Sequence, residues 1–183
     1  MDPLDFYFKH PTTIQVSEPT RCGKTRFERR IIEEQLIQPF ATRIIWEFSE
    51  LQQDYDMIRE RYPSIEFEKG WRDEIFDSLS PEQCNILVLD DQMGVASSST
   101  SVADLFTKGS HHRNLTVIYL VQNVYNQGKR MRTISLNSHY SVVFRNGRDA
   151  SQFRRRAKYV QMTVSGLLIL LRIPPLNPLG TYS

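Results

Sequence analysis

The chain has 183 residues, 40% of them hydrophobic and 24% charged, a balance that suits one globular domain with a real core and excludes a disordered chain. The formal net charge of +2 excludes nothing about partners, but Asn126 to Val160 holds nine Lys or Arg against one acid and so carries +8, leaving −6 for the rest. A basic quarter on an acidic body points to a local contact with a polyanion. The two cysteines, Cys22 and Cys84, supply neither a disulfide framework nor metal-ligand spacing, which fits a reduced, intracellular protein. Met1 to Pro11 has no apolar leader run. The longest apolar stretch, Leu167 to Leu171, is far short of the ~20 residues that span a bilayer, so no membrane association is expected.

In chain order, Thr12 to Val16 is β-rich and leads into a loop. Lys24 to Gln38 has Phe27, Ile31, Ile32 and Leu36 at helical spacing and predicts a helix stopped by Pro39. Ile44 to Phe48 predicts a strand, Glu50 to Arg61 a helix, Ile65 to Phe67 a small strand, and Asp73 to Leu79 a helical turn or two. Ile86 to Leu89 is an unbroken apolar run of the kind buried on both faces in parallel sheets. Gly94 to Ser101 is a Ser-rich connector and Val102 to Thr107 a helix. Leu115 to Val121 and Tyr140 to Phe144 are strands, and Asp149 to Tyr159 is a basic helix. Strands alternating with helices imply an α/β fold with a mostly parallel sheet.

The segment between the first strand and the first helix is Ser17-Glu18-Pro19-Thr20-Arg21-Cys22-Gly23-Lys24-Thr25. Its end matches the phosphate-loop pattern G-x-x-x-x-G-K-[ST], in which loop and helix N–H groups cradle phosphates. Gly23 permits close backbone approach, Lys24 would reach the β- and γ-phosphates of ATP, and Thr25 would place a hydroxyl on Mg²⁺. The first glycine of the pattern is replaced by Glu18. Glu avoids backbone conformations that Gly adopts, and its charge at about 5 Å from a phosphate costs roughly 3 kcal/mol at an effective dielectric near 20. Arg21 could offset part of this. A Gly-Lys-Thr turn before a helix also arises by chance, so the loop needs support from elsewhere.

That support is Asn85-Ile86-Leu87-Val88-Leu89-Asp90-Asp91, four apolar β residues followed by two acids. A carboxylate at such a strand end can hold Mg²⁺ (Asp90), and a second can activate the attacking water (Asp91). Leu115 to Val121 ends in Gln122-Asn123 at another strand carboxyl end, where ligands of open α/β sheets bind. Gln122, or secondarily Asn123, could sense the γ-phosphate; an ordinary strand-end turn is the alternative.

Lys129, Arg130 and Arg132, with Arg154, Arg155, Arg156 and Lys158, are candidates for sequence-independent DNA phosphate contacts. Such runs otherwise form solvated helix faces. Arg113 could act as an arginine finger in a neighbouring subunit or be a solvated arginine. His111-His112 lacks a Cys or acid cluster and reads as loop packing.

Together these elements resemble the genome-packaging ATPases of poxvirus type, with the closest look to those of Polinton/Maverick elements and adintoviruses, within the FtsK/HerA superfamily. The resemblance rests on Phe8-Lys9-His10-Pro11, on Cys22 to Phe27, on Ile44-Ile45-Trp46, and on Asp90-Asp91. It continues through Leu105 to Asn114, Val121-Gln122-Asn123, Arg132 to Tyr140 and Phe144 to Asp149. It spans roughly residues 6 to 160, and implies a RecA-like P-loop NTPase core over residues 1–161. The implied activity is an ATP- and Mg²⁺-dependent motor that moves double-stranded DNA. It would work as a homo-oligomeric ring on a capsid or portal-like protein, in the host nucleus or cytoplasm or associated with a virion. Residues 162–183 depart from the family's usual ending and are expected to give one last strand and a disordered end. With Glu18, this departure allows a second expectation: a decayed, catalytically inactive copy that keeps DNA or capsid-protein binding.

Overall fold

The computed structural model describes residues 6–17, 24–51, 53–90, 100–121, 129–144, 159–164 and 167–172. The strands are β1 (Phe8–Lys9), β2 (Thr13–Ser17), β3 (Ile37–Gln38), β4 (Arg43–Phe48), β5 (Ile65–Lys69), β6 (Asn85–Asp90), β7 (Leu115–Val121), β8 (Tyr140–Phe144), β9 (Tyr159–Val164) and β10 (Leu167–Arg172). The helices are α1 (Lys24–Glu33), α2 (Gln53–Arg61), α3 (Glu74–Ser78), α4 (Thr100–Asp104), α5 (Ser110–His112) and α6 (Lys129–Asn137), with a π-helical turn over Leu105–Gly109 joining α4 to α5.

Eight strands form one sheet in the order β5-β4-β6-β7-β2-β8-β10-β9. From β5 through β8 every pairing is parallel; β10 then runs antiparallel to both β8 and β9. All residues of β2, β6 and β7 are buried, so these central strands have no solvent face; Ile86–Leu89 of β6 is an unbroken apolar run, whereas β2 also buries Thr13, Gln15 and Ser17.

Strand alternation divides the core in two. On one face Ile14, Val16, Trp46, Phe48, Ile86, Val88, Ile118 and Leu120 pack beneath Phe27, Ile31 and Ile32 of α1 and Tyr55 and Ile58 of α2. On the other, Ile45, Leu87, Leu89, Val117, Tyr119 and Val121 meet Ile75 from α3, Val102 from α4, Leu105 and Phe106 from the π turn, and Met131 and Ile134 from α6.

The structure corrects several element boundaries. Helix α1 stops at Glu33, five residues short of the expected Gln38. Gln35 takes a left-handed φ of 48°, with Gln35 N–H donating to Ile32 O (3.2 Å) and Leu36 N–H to Ile31 O (3.0 Å). This hydrogen-bond pair is the Schellman ending, here built on a non-glycine residue. The released Ile37 and Gln38 then pair with Phe8 and Lys9 as β3 on β1. Helix α4 begins at Thr100, inside the expected Ser-rich connector. The basic helix expected over 149–159 falls mostly outside the described residues, and Tyr159 opens β9. Beyond Gln161, β9 and β10 both belong to the main sheet, and the division expected after Gln161 falls within β9.

Candidate functional site

Parallel register brings the carboxyl ends of the central strands to one level. Ser17 of β2 pairs with Val121 of β7, Asp90 of β6 with Leu120, and Phe48 of β4 with Asp90. Strand β7 therefore lies between the loop-bearing strand and the acid-bearing strand, which places β2 and β6 roughly 10 Å apart.

Ser17, buried, is the last residue of β2, and Lys24 and Thr25 are the first two residues of α1. A strand end and a helix start thus flank residues 18–23. Glu18, Pro19, Thr20, Arg21, Cys22 and Gly23 lie outside the described residues. Helix α1 has ten residues and no acid in its first turn.

Asp90 is the best-defined member of the site. It ends β6 only 2% exposed, on the α1 and α2 face, because it alternates with Ile86 and Val88. The hydroxyl of Tyr55, itself fully buried on α2, donates to Asp90 Oδ2. The Tyr55 ring is held by Trp46 (centroids 5.8 Å), Phe48 (5.2 Å) and Phe67 (5.7 Å). In the sequence Tyr55 shows only as an apolar position three before Ile58, a spacing that gives no sign of a hydroxyl aimed at an acid.

Asp91, Gln122 and Asn123 lie outside the described residues, as do Arg154, Arg155, Arg156 and Lys158. Lys129 and Arg132 lie exposed on α6, a helix the sequence reading lacks. Its apolar signal is Met131 and Ile134, three apart, with basic residues around them obscuring it. Arg130 also lies on α6, within a first turn that holds no acid.

Arg113 lies at the other end of the sheet. It precedes β7, a strand of seven residues and so roughly 20 Å long, and its guanidinium sits 3.6 Å from Asp77. Three of the family-like stretches, Phe8 to Pro11, Leu105 to Asn114 and Arg132 to Tyr140, also meet here. His10 Nε2 meets Asn114 Oδ1 at 2.9 Å and its Nδ1 meets Thr116 Oγ1 at 2.8 Å. Asn114 Nδ2 donates to Gln83 O (3.1 Å), which leaves Oδ1 to accept from His10 Nε2–H and fixes the neutral imidazole as the Nε2–H tautomer. Burial pushes the His10 pKa down, and the hydrogen bond to Asn114 opposes this only in part. His139 Nδ1 accepts from Thr13 N–H (3.1 Å), and the Tyr140 ring packs edge-on against Phe8 (5.0 Å). These residues fasten the N-terminal segment to the amino end of the sheet, away from Asp90.

No protein-family model matches the chain, and no curated protein matches it in sequence. Solved structures do match in fold. The genome-packaging NTPase of Sulfolobus turreted icosahedral virus 2 aligns with TM-score 0.54 and 11% identity, over 89% of this chain and 98% of that one. The DNA-packaging ATPase of Sulfolobus turreted icosahedral virus gives TM-score 0.55 and 10% identity over 88% and 97%. A KaiC-like protein from the hyperthermophilic archaeon Pyrococcus horikoshii gives 0.50 and 14% over 74% and 72%. With its mostly parallel sheet and flanking helices, the chain has the RecA-like P-loop ATPase fold.

Proposed function

We propose that this chain binds and hydrolyses ATP with Mg²⁺ at the carboxyl end of β2, β7 and β6. One observation carries the reading: the N-terminus of α1, reached from β2 through the Gly-Lys-Thr loop, and the buried carboxylate of Asp90 share one face of the sheet. A triphosphate with a divalent cation needs such a pair, a positive helix end for the phosphates and a fixed carboxylate for the metal. The residues present therefore fit the group. Lys24 and the loop from Ser17 to Thr25 would hold phosphate, Thr25 and Asp90 would hold Mg²⁺, Asp91 would take a proton from water, and Gln122 would contact the γ-phosphate. Bound Mg²⁺ would supply charge neutralisation at the phosphate oxygens.

The finer reading is a motor on double-stranded DNA, working as a homo-oligomeric ring against a capsid or portal-like protein. It is supported by the resemblance in sequence and by a shared fold with two proteins named for genome or DNA packaging. Helix α6 supports the DNA contact. Lys129, Arg130 and Arg132 crowd its positive end without an acid in the first turn, an arrangement that a nearby polyanion would relieve. In a ring, Arg113 would have to leave Asp77 to serve a neighbouring site. The pair itself, with Asp77 largely exposed, contributes about 0–1 kcal/mol.

The test is Mg²⁺-dependent ATP hydrolysis. Lys24→Ala and Asp91→Asn are each expected to lower it at least a hundredfold, and activity indifferent to both would remove the assignment. Glu18 favours a second reading, an inactive domain that still binds DNA or capsid protein. That reading expects no nucleotide binding until Glu18→Gly restores the loop.

A further inference from the structure

We infer that Tyr55 is a positioning residue for the metal site, orienting the carboxylate of Asp90 through its hydroxyl; this rests on the ATP–Mg²⁺ reading of that site. Packing alone would be served by phenylalanine. A fully buried hydroxyl is costly unless it is hydrogen-bonded, and this one donates to Asp90 Oδ2. The aromatic surround of Trp46, Phe48 and Phe67 keeps the ring from swinging away.

The choice of donor matters chemically. An arginine or lysine here would orient Asp90 but also neutralise it. A phenol orients the carboxylate and leaves its negative charge for a divalent cation. Tyr55 sits on α2 and Asp90 on β6, 35 residues apart in sequence, so the bond also ties the position of α2 to the acid. Partners of metal-binding carboxylates are typically worth about 10–100-fold in metal affinity.

The experiment follows binding of a fluorescent ATP analogue while Mg²⁺ is titrated. Tyr55→Phe is expected to raise the Mg²⁺ half-saturation about tenfold or more. In an Asp90→Asn background, the same substitution should add little, because the two residues act as one unit. Loss of packing alone would lower stability without this coupled shift in Mg²⁺ requirement. If Tyr55→Phe does not fold, Phe67→Leu keeps the hydroxyl but loosens the ring and is expected to raise the half-saturation by a smaller factor. An unchanged Mg²⁺ requirement in a variant that binds the analogue normally overturns the role of Tyr55 alone. Failure of the unmodified chain to bind the analogue with Mg²⁺ overturns both this inference and the nucleotide site.

Discussion

Two buried acids lie near the carboxyl end of the sheet, on opposite faces and in different surroundings. Asp90 has the Tyr55 hydroxyl as donor. Glu47, one residue before the end of β4, is fully buried on the other face, and burial raises its pKa from 4.5 to about 8, with Arg72 opposing and Glu68 adding to the effect. A raised folded-state pKa means the native protein holds a proton that the unfolded chain releases. The resulting stability is fully present below about pH 4.5 and is lost as pH rises through about 8. Glu47→Gln removes this titration. The variant is expected to be more stable than the parent by up to about 5 kcal/mol at pH 9, with the difference shrinking toward pH 5. Urea unfolding across that range measures it, and a pH-independent difference would contradict the assignment. Neither acid's surroundings were legible in the sequence. Asp90 was found because two acids follow an apolar strand, whereas Glu47 is a single acid in Ile-Ile-Trp-Glu-Phe, and nothing local says that the strand is covered on both sides.

Among the elements, the sequence served best where apolar residues run without interruption. Strand β7 was placed residue for residue and β6 to within one residue at each end, because a strand inside a parallel sheet must be apolar on both faces. It failed where the local signal conflicts with tertiary pairing. Leu36 and Ile37 prolong the apolar pattern of α1, yet the chain turns at Gln35 so that Ile37 can pair with Phe8. A side chain in a left-handed conformation is strained relative to glycine. Gln35→Gly is therefore expected to stabilise the fold by about 0.5–1 kcal/mol, read as a higher urea midpoint with unchanged slope. Destabilisation would mean that the Gln35 side chain has a role the backbone does not reveal. The π turn at Leu105–Gly109 was also hidden, since a helical spacing rule has no term for the extra residue that buries both Leu105 and Phe106.

Across the whole molecule, the functional groups sort to the two ends of one sheet. The carboxyl end carries Ser17, the start of α1 and Asp90; the amino end carries His10, Asn114 and His139, which fasten the N-terminal segment, and Arg113, which pairs with Asp77. The motif residues were visible in sequence, but their division between the two ends was not, because it depends on strand order. Lys129, Arg130 and Arg132 open α6, whose last residue, Asn137, meets Thr13 near the amino end, so they lie toward the carboxyl end, where the proposed DNA contact would be coupled to the proposed ATP site. Replacing all three with alanine is expected to weaken DNA binding on any sequence and to flatten the dependence of log affinity on log salt by about 2–3. Affinity insensitive to salt in the unmodified chain would argue against phosphate contacts altogether.

The proposed nucleotide site stands or falls on whether the segment from Ser17 to Thr25, with Glu18 in place of the first glycine of the pattern, still holds Mg-ATP. Thermal unfolding with and without Mg-ATP decides it. Ligand at about a hundred times its dissociation constant stabilises by about 2.7 kcal/mol, which raises the melting temperature of a domain this size by roughly 5–10 °C. The unmodified chain is expected to show that rise and Lys24→Ala to lose it. No rise in the unmodified chain, and none in Glu18→Gly, would contradict a nucleotide site at the end of β2.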